Sequence, residues 1–153
     1  MEVKFLNHYN VAQYAEGVMN CLDAFGTINI TNSEAEAVLN SKLQDGHVIS
    51  IVVVNHQVVS TATMLLEKKL IHGGDRKYTK NDFSLIAHIE DLATLPEHRG
   101  KGHARSALKL LEEQAKEMGC YKILADVSIS NYNDFYSKID YKIQELCIRK
   151  DLT

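Results

Sequence analysis

The apolar residues change period several times along the chain, and each change predicts an element. In "EVKFL" Val3 and Phe5 alternate with polar neighbours, the period of a half-buried strand. From Val11 the spacing is helical: Tyr14, Ala15, Val18, Met19 and Leu22 recur three or four apart, with Gly26 placed to stop the helix. "SEAE", Ser33 to Glu36, has the form of a capping box and predicts a second helix running to about Gln44. "DG" leads into "HVISIVVV", a β-branched run that "NHQ" turns back into "VVSTATMLLEKKL", so a hairpin is expected.

The polar stretch "HGGDRKYTKND" predicts a loop, and "SLIAHIEDLATL" a central strand ended by Pro96. Helical spacing returns from Lys101 to Met118 through Ala104, Ala107, Leu108, Leu111 and Ala115, with Gly119 closing the helix. "YKILADV" predicts a strand, "NDFYSKI" a short helix and "YKIQELCIRK" a final strand. The order is β-α-α-β-β-β-α-β-α-β, a mixed central sheet with flanking helices in one α/β domain over residues 1–153.

Composition narrows the class. The chain has 153 residues, 45% hydrophobic and 24% charged, the balance of a single globular domain. A formal charge of -3 argues against a general nucleic-acid or membrane-surface binder, which would be broadly basic. No apolar run has the length of a membrane span, and "MEVKFLNHYN" lacks a signal-peptide pattern. Cys21, Cys120 and Cys147 have no metal-like spacing and cannot all pair, so a reducing, cytoplasmic setting is expected. His47, His56, His88 and His98 are scattered, and no metal site is expected.

The chemistry gathers at "EHRGKGHARSAL", Glu97 to Leu108. A strand-to-helix corner there would point backbone N–H groups outward, and Gly100 and Gly102 would let a ligand approach without a Cβ in the way. The helix dipole, Arg99 and Lys101 favour an anion such as a diphosphate. Taken alone, these residues fit an anion cradle and a bare glycine turn with solvated bases equally. They match neither a P-loop nor a dinucleotide-binding fingerprint.

The spacing Arg99-Gly100-Lys101-Gly102-His103-Ala104 resembles the Arg/Gln-x-x-Gly-x-Gly/Ala signature of the GNAT superfamily of N-acetyltransferases, and the order of elements resembles that fold. "FGTI", "TATMLLEKKLIH", "HIEDLA", "GCYKI", "NDFYSKIDY" and "CIRK" together resemble the glucosamine-6-phosphate N-acetyltransferases within it, over about Phe25 to Lys150. Asp140 stands where that resemblance leads one to expect glycine before the aromatic residue.

The resemblance implies an enzyme that moves the acetyl group of acetyl-CoA to the amine of glucosamine 6-phosphate, feeding UDP-N-acetylglucosamine synthesis. It implies a direct attack without an enzyme nucleophile. Leu92, Ala93 and Thr94 would lie along the pantetheine arm, and Arg99, Gly100, Lys101, Gly102, His103 and Ala104 would hold the diphosphate. Tyr136 would lie near the thioester sulfur and protonate the leaving thiolate; the same tyrosine also reads as a ring packed on the sheet. Glu90 and Asp91 match the family's acidic sugar contacts, and a structural salt bridge is the other reading. Asp126 matches an acidic position near the amine and would orient it or help deprotonate it, so that the resemblance implies Tyr136, Asp126 and Glu90 as the catalytic residues. Thr27, Lys69, His72 and Arg149 match substrate-side positions, where solvated side chains are the alternative. A homodimer with shared active sites is implied as well. Two other functions keep the glycine turn: acetylation of another small amine or a protein N-terminus, and a non-catalytic acyl-CoA-binding module.

Overall fold

A computed structural model describes residues 1–26, 29–69 and 84–143. Its strands are β1 (Glu2–Leu6), β2 (Val48–Val54), β3 (Gln57–Lys69), β4 (Ser84–Thr94) and β5 (Lys122–Ala125). Its helices are α1 (Val11–Leu22), α2 (Asn32–Gln44), α3 (His103–Glu117) and α4 (Ile129–Asp134). The strands form one sheet in the order β1-β2-β3-β4-β5. Neighbours are antiparallel except β4 and β5, which run parallel with α3 as their crossover. This is the expected order as far as α4; the final strand expected from Tyr141 to Lys150 falls largely outside the described residues.

The period-two patterns place two cores on the two faces of the sheet. Ile49, Ile51, Val53 and Val58 join Leu6, Ala93 and Leu95 against Val11, Tyr14, Ala15, Val18 and Cys21 of α1 and Ala35 and Leu39 of α2. Val52, Val59, Ala62, Met64, Ala87 and Ile89 meet Ala107, Leu108, Leu111 and Ala115 of α3 on the other face. The β2–β3 hairpin turns on two residues, Asn55 and His56, both with positive φ (49° and 66°). That is the twist a two-residue hairpin needs, taken here without a glycine.

Three local expectations are corrected. The capping box of α2 is Thr31 with Glu34, two residues before Ser33: Thr31 Oγ1 accepts from the Glu34 N–H, and Glu34 accepts from the Thr31 N–H at 2.7 Å. Helix α3 starts at His103 and not at Lys101, because Gly102 in the left-handed region is its cap. "NDFYSKI" is not one helix. Ser128 caps α4 by accepting from the Asn131 N–H, the helix ends at Asp134, and a 3-10 turn, Tyr136–Ile139, comes after it. Asp140 closes that turn at φ 67°, the conformation for which glycine would be the usual choice.

Gly17 on α1 shows how closely the helix lies on the sheet. A Cβ there would stand 2.8 Å from Val58 Cβ and 2.9 Å from Val58 Cγ2. Glycine-to-alanine changes inside helices ordinarily stabilise by about 1 kcal/mol. Here the β-branched neighbour is held by its strand, and overpacking at roughly 1–3 kcal/mol outweighs that gain. Gly17→Ala is therefore expected to lower the thermal midpoint by a few degrees, read by circular dichroism; a higher midpoint would show that α1 can lift off Val58 at little cost.

Candidate active site

The site begins with an irregularity in β4. Thr61 pairs with Ala93 and Thr63 with Glu90, so Asp91 and Leu92 together oppose the single residue Ala62. Asp91 has φ 51°, left-handed for a residue with a Cβ. This bulge reverses the facing of the strand: Ala87 and Ile89 point to the α3 side before it, and Ala93 and Leu95 to the α1 side after it. Pairing with β5 covers only Ile86 to Ile89, against Lys122 to Ala125. Beyond Ile89 the strands part, and Glu90 to Thr94 continue without β5 alongside. Among the described residues no strand pairs with their outer backbone edge, which would suit an extended, amide-bearing ligand in the manner of an added strand. The other edge is pinned, with Ser60 Oγ donating to the Ala93 carbonyl at 2.8 Å and the Leu95 N–H to the Val59 carbonyl at 2.9 Å.

The same strand runs through Pro96 into the glycine turn. Gly100 (φ 72°) and Gly102 (φ 81°) both need the left-handed region, and no atom stands within 4 Å of where their Cβ atoms would be. Helix α3 has no side-chain cap and no acidic residue in its first turn, whereas α2 is closed by its capping box. The first N–H groups of α3 thus face outward unsatisfied, beside exposed Arg99 and Lys101. Each cation is steadied by a carbonyl: Lys101 Nζ donates to Glu97 O at 2.9 Å and Arg99 Nε to Thr94 O at 3.3 Å. The arrangement fits a diphosphate. His103 is placed differently from its neighbours. Its ring is buried, Nδ1 has no partner, and burial together with the nearby charges of His98 and Lys101 lowers its pKa. Its backbone N–H belongs to the first turn of α3. Ala104 is half-buried behind it.

Tyr136 is buried in the α3-side core, against which Leu92 and Ala125 pack from the two sides of the parting strands. Its ring makes edge contacts with Phe135 at 5.0 Å and Tyr141 at 5.3 Å between centroids. Burial raises its pKa, so the phenol holds its proton at neutral pH. Both roles weighed for Tyr136, packing and proton donation, are compatible with this position. Burial also raises the thiols: Cys21 is pushed up to about 12, and half-buried Cys120 shifts in the same direction. Neither is poised as a thiolate nucleophile.

On the opposite face, Glu90 and Asp91 are half-buried and share a cation that sequence reading missed. Lys42, in the last turn of α2, places Nζ 3.1 Å from Asp91 Oδ2 and 3.9 Å from Glu90 Oε2. Nothing in the helical pattern marks Lys42, since a lysine near a helix C-terminus is ordinary. Asp126 is exposed directly after β5, at the far side of the opening. Lys69 does not join this group within one chain. It pairs with Ser84 at the other end of the β3–β4 ladder, six residues from Thr63, or about 20 Å along the strand. There it forms an ion pair with Glu67, which also meets His88 Nε2 at 2.6 Å. Thr27, His72 and Arg149 lie outside the described residues. Among the described residues no group of three His, Cys, Asp or Glu side chains could hold a metal ion, and no helix is long and apolar enough to cross a membrane.

The sequence profile of the Acetyltransferase (GNAT) family matches residues 22–139, and the chain belongs to that family. Over 125 residues it is 25% identical to the glucosamine 6-phosphate N-acetyltransferase of Arabidopsis thaliana, covering 76% of this chain and 77% of the relative. Over 96 residues it is 29% identical to the protein of the same name from Trypanosoma brucei brucei, covering 63% of this chain but only 58% of that relative's length. In three dimensions it resembles the crystal structure of the Arabidopsis glucosamine-6-phosphate N-acetyltransferase, with a TM-score of 0.79, 22% identity and full coverage of both chains. A protein from Clostridium acetobutylicum described as a predicted acetyltransferase, crystallised with acetyl-CoA, has a TM-score of 0.71 at 22% identity, covering 99% of this chain and 96% of its own. At these identities the structural likeness speaks for the fold.

Substituting either glycine would disturb the turn itself, because an added side chain is strained at positive φ; the cations give the cleaner measurement. Arg99→Ala combined with Lys101→Ala is expected to weaken coenzyme A binding by about tenfold or more, the loss of one or two charge-assisted contacts. Both side chains are exposed, so the thermal midpoint should hardly move. Calorimetry giving an unaltered Kd would remove the diphosphate from this turn.

Proposed function

We propose that the chain transfers the acetyl group of acetyl-CoA to the amine of D-glucosamine 6-phosphate, giving N-acetyl-D-glucosamine 6-phosphate and coenzyme A by direct attack in a ternary complex. The observation that carries this reading is the kinship with proteins named glucosamine 6-phosphate N-acetyltransferase. The cleft supports it: an anion-receiving turn lies on one side of the parted strands and a carboxylate pair on the other.

When bound, acetyl-CoA supplies an acetyl thioester whose carbonyl carbon a neutral amine can attack, coenzyme A leaving as its thiol. Each group of the chain serves a part of that reaction. The open edge of Leu92 to Thr94 aligns the pantetheine amides, and a backbone N–H at the bulge donates to the thioester oxygen as negative charge develops there. Gly100, Gly102 and the first N–H groups of α3, with Arg99 and Lys101, hold the diphosphate. Glu90 and Asp91 hold the sugar, while Asp126 orients the amine and takes the proton it loses. Tyr136 gives its phenolic proton to the departing sulfur and regains one through solvent, so the overall proton count is unchanged.

The reading extends to a cytoplasmic homodimer whose product enters UDP-N-acetylglucosamine synthesis. Shared sites rest on the resemblance, and Lys69, at the far end of the β3–β4 ladder from Glu90, takes no part in the site of its own chain. In this reading Arg149 meets the sugar phosphate, and Thr27 and His72 are further substrate-side positions.

The assay is release of free thiol from acetyl-CoA with a panel of amines. Glucosamine 6-phosphate should be acetylated, and glucosamine without the phosphate much more slowly. Equal rates would refute the substrate while leaving an acetyltransferase.

Tyr136→Phe keeps the ring and removes the hydroxyl. If the phenol is the acid, kcat should fall by the ~10²-fold typical of a lost general acid, with little change in KM or thermal midpoint. Because burial raises the tyrosine above its ordinary value of 10.0, the wild-type rate should decline only above that pH. The phenylalanine protein should lack this decline. Coincident pH profiles would leave Tyr136 as a packing residue.

A further inference from the structure

The Lys42 ion pair has no part in the mechanism above, yet it engages the two carboxylates that the mechanism gives to the amino sugar. Glu90 and Asp91 are the first residues beyond the last β4–β5 rung, Ile89 with Ala125. An amine entering the opening from the α2 face therefore meets these two carboxylates. By themselves they would hold it as an ammonium ion, and an ammonium ion has no lone pair with which to attack a thioester. We propose that Lys42 is a charge-setting residue for the acetyl-transfer site, its ammonium offsetting the Glu90–Asp91 pair so that the bound amine can give up its proton near neutral pH. This rests on the reading of the site as amine-acetylating.

The geometry makes Lys42 the counter-charge. Its Nζ lies 3.1 Å from Asp91 Oδ2 and 3.9 Å from Glu90 Oε2, bringing the cluster from two negative charges to one. Asp91 reaches it only because the bulge turns that residue to φ 51°. The side chains of Lys42, Glu90 and Asp91 are 32%, 41% and 34% exposed, so they are screened by solvent but also free to readjust around a ligand. Among the described residues, Asp45 closes α2 three residues beyond Lys42, its backbone N–H donating to the Leu43 and Ser41 carbonyls. His47 sets Nδ1 3.0 Å from the Lys42 carbonyl oxygen, Glu67, Lys69 and His88 form their own network further along the β3–β4 ladder, and Glu16 of α1 is engaged by Asn32 at the opposite end of α2. Asp126 and Tyr136 face the opening from the β5 side, the first as the proton acceptor and the second as a neutral phenol.

The test is the pH dependence of single-turnover acetylation of glucosamine 6-phosphate, with enzyme in excess, for wild type, Lys42→Met, Lys42→Gln and Lys42→Arg. Loss of the positive charge that offsets Glu90 and Asp91 should move the acidic limb of the rate about one pH unit to the alkaline side in the Met and Gln proteins. The Arg protein should restore the wild-type position. Circular dichroism establishes that each variant is folded. Superimposable limbs in all four proteins, or a uniform loss of rate without displacement, would overturn the charge-setting role while the acetyltransferase reading stands. A wild type that does not acetylate the sugar phosphate would overturn the substrate reading and this inference with it.

Discussion

The structure turns on one extra residue in a strand. The bulge at Asp91 and Leu92 costs on the order of 1 kcal/mol for the left-handed aspartate, and it breaks the β3–β4 ladder at Ala62. In return it produces four features of the site together. The residues after it change face, the strand runs on past the end of β5, a stretch of backbone edge opens beyond Ile89, and a carboxylate swings toward α2. Ser60 holds the displaced strand on its inner edge, through Ala93 and Thr94, so that only the outer edge is free.

The two faces of the sheet then receive different chemistry. On the α3 side the helix begins without a cap or an early acid, leaving its dipole and N–H groups available to an anion. Tyr136 stands in the core on that same side, protonated because it is buried. On the α1–α2 side the groups are charged and half-exposed, suited to a soluble cationic amine. Burial raises the thiols of Cys21 and Cys120, so neither of these two described cysteines is poised as a thiolate.

Much of the fold was legible in the sequence because it is written over a few residues at a time. Alternation marked β1, a β-branched run folded back at a turn marked β2 and β3, the spacing around Ala107 and Leu111 marked α3, and two glycines beside two cations marked the turn. Ambiguity entered where a local pattern repeats. Thr31-x-x-Glu34 and Ser33-x-x-Glu36 both have the form of a capping box, and only the path of the backbone into α2 selects the first. The same holds for α4, where Ser128 starts the helix early and forces the break before Tyr136.

The site's electrostatics were decided by tertiary structure. Alternation cannot show a bulge, because Asp91 and Leu92 read as one outward and one inward residue of a regular strand. Lys42 and Asp91 are 49 residues apart, and their contact depends on where α2 crosses the sheet. Lys69, close to the substrate positions by resemblance, is carried some ~20 Å from Glu90 by the length of its own strand. What the sequence determined by itself was the order of elements as far as α4 and the glycine turn beside two cations, since both arise from backbone preferences and periodicity over a few neighbouring positions. Which charges meet was left to the assembled sheet, because an ion pair depends on distances between elements that no local pattern encodes.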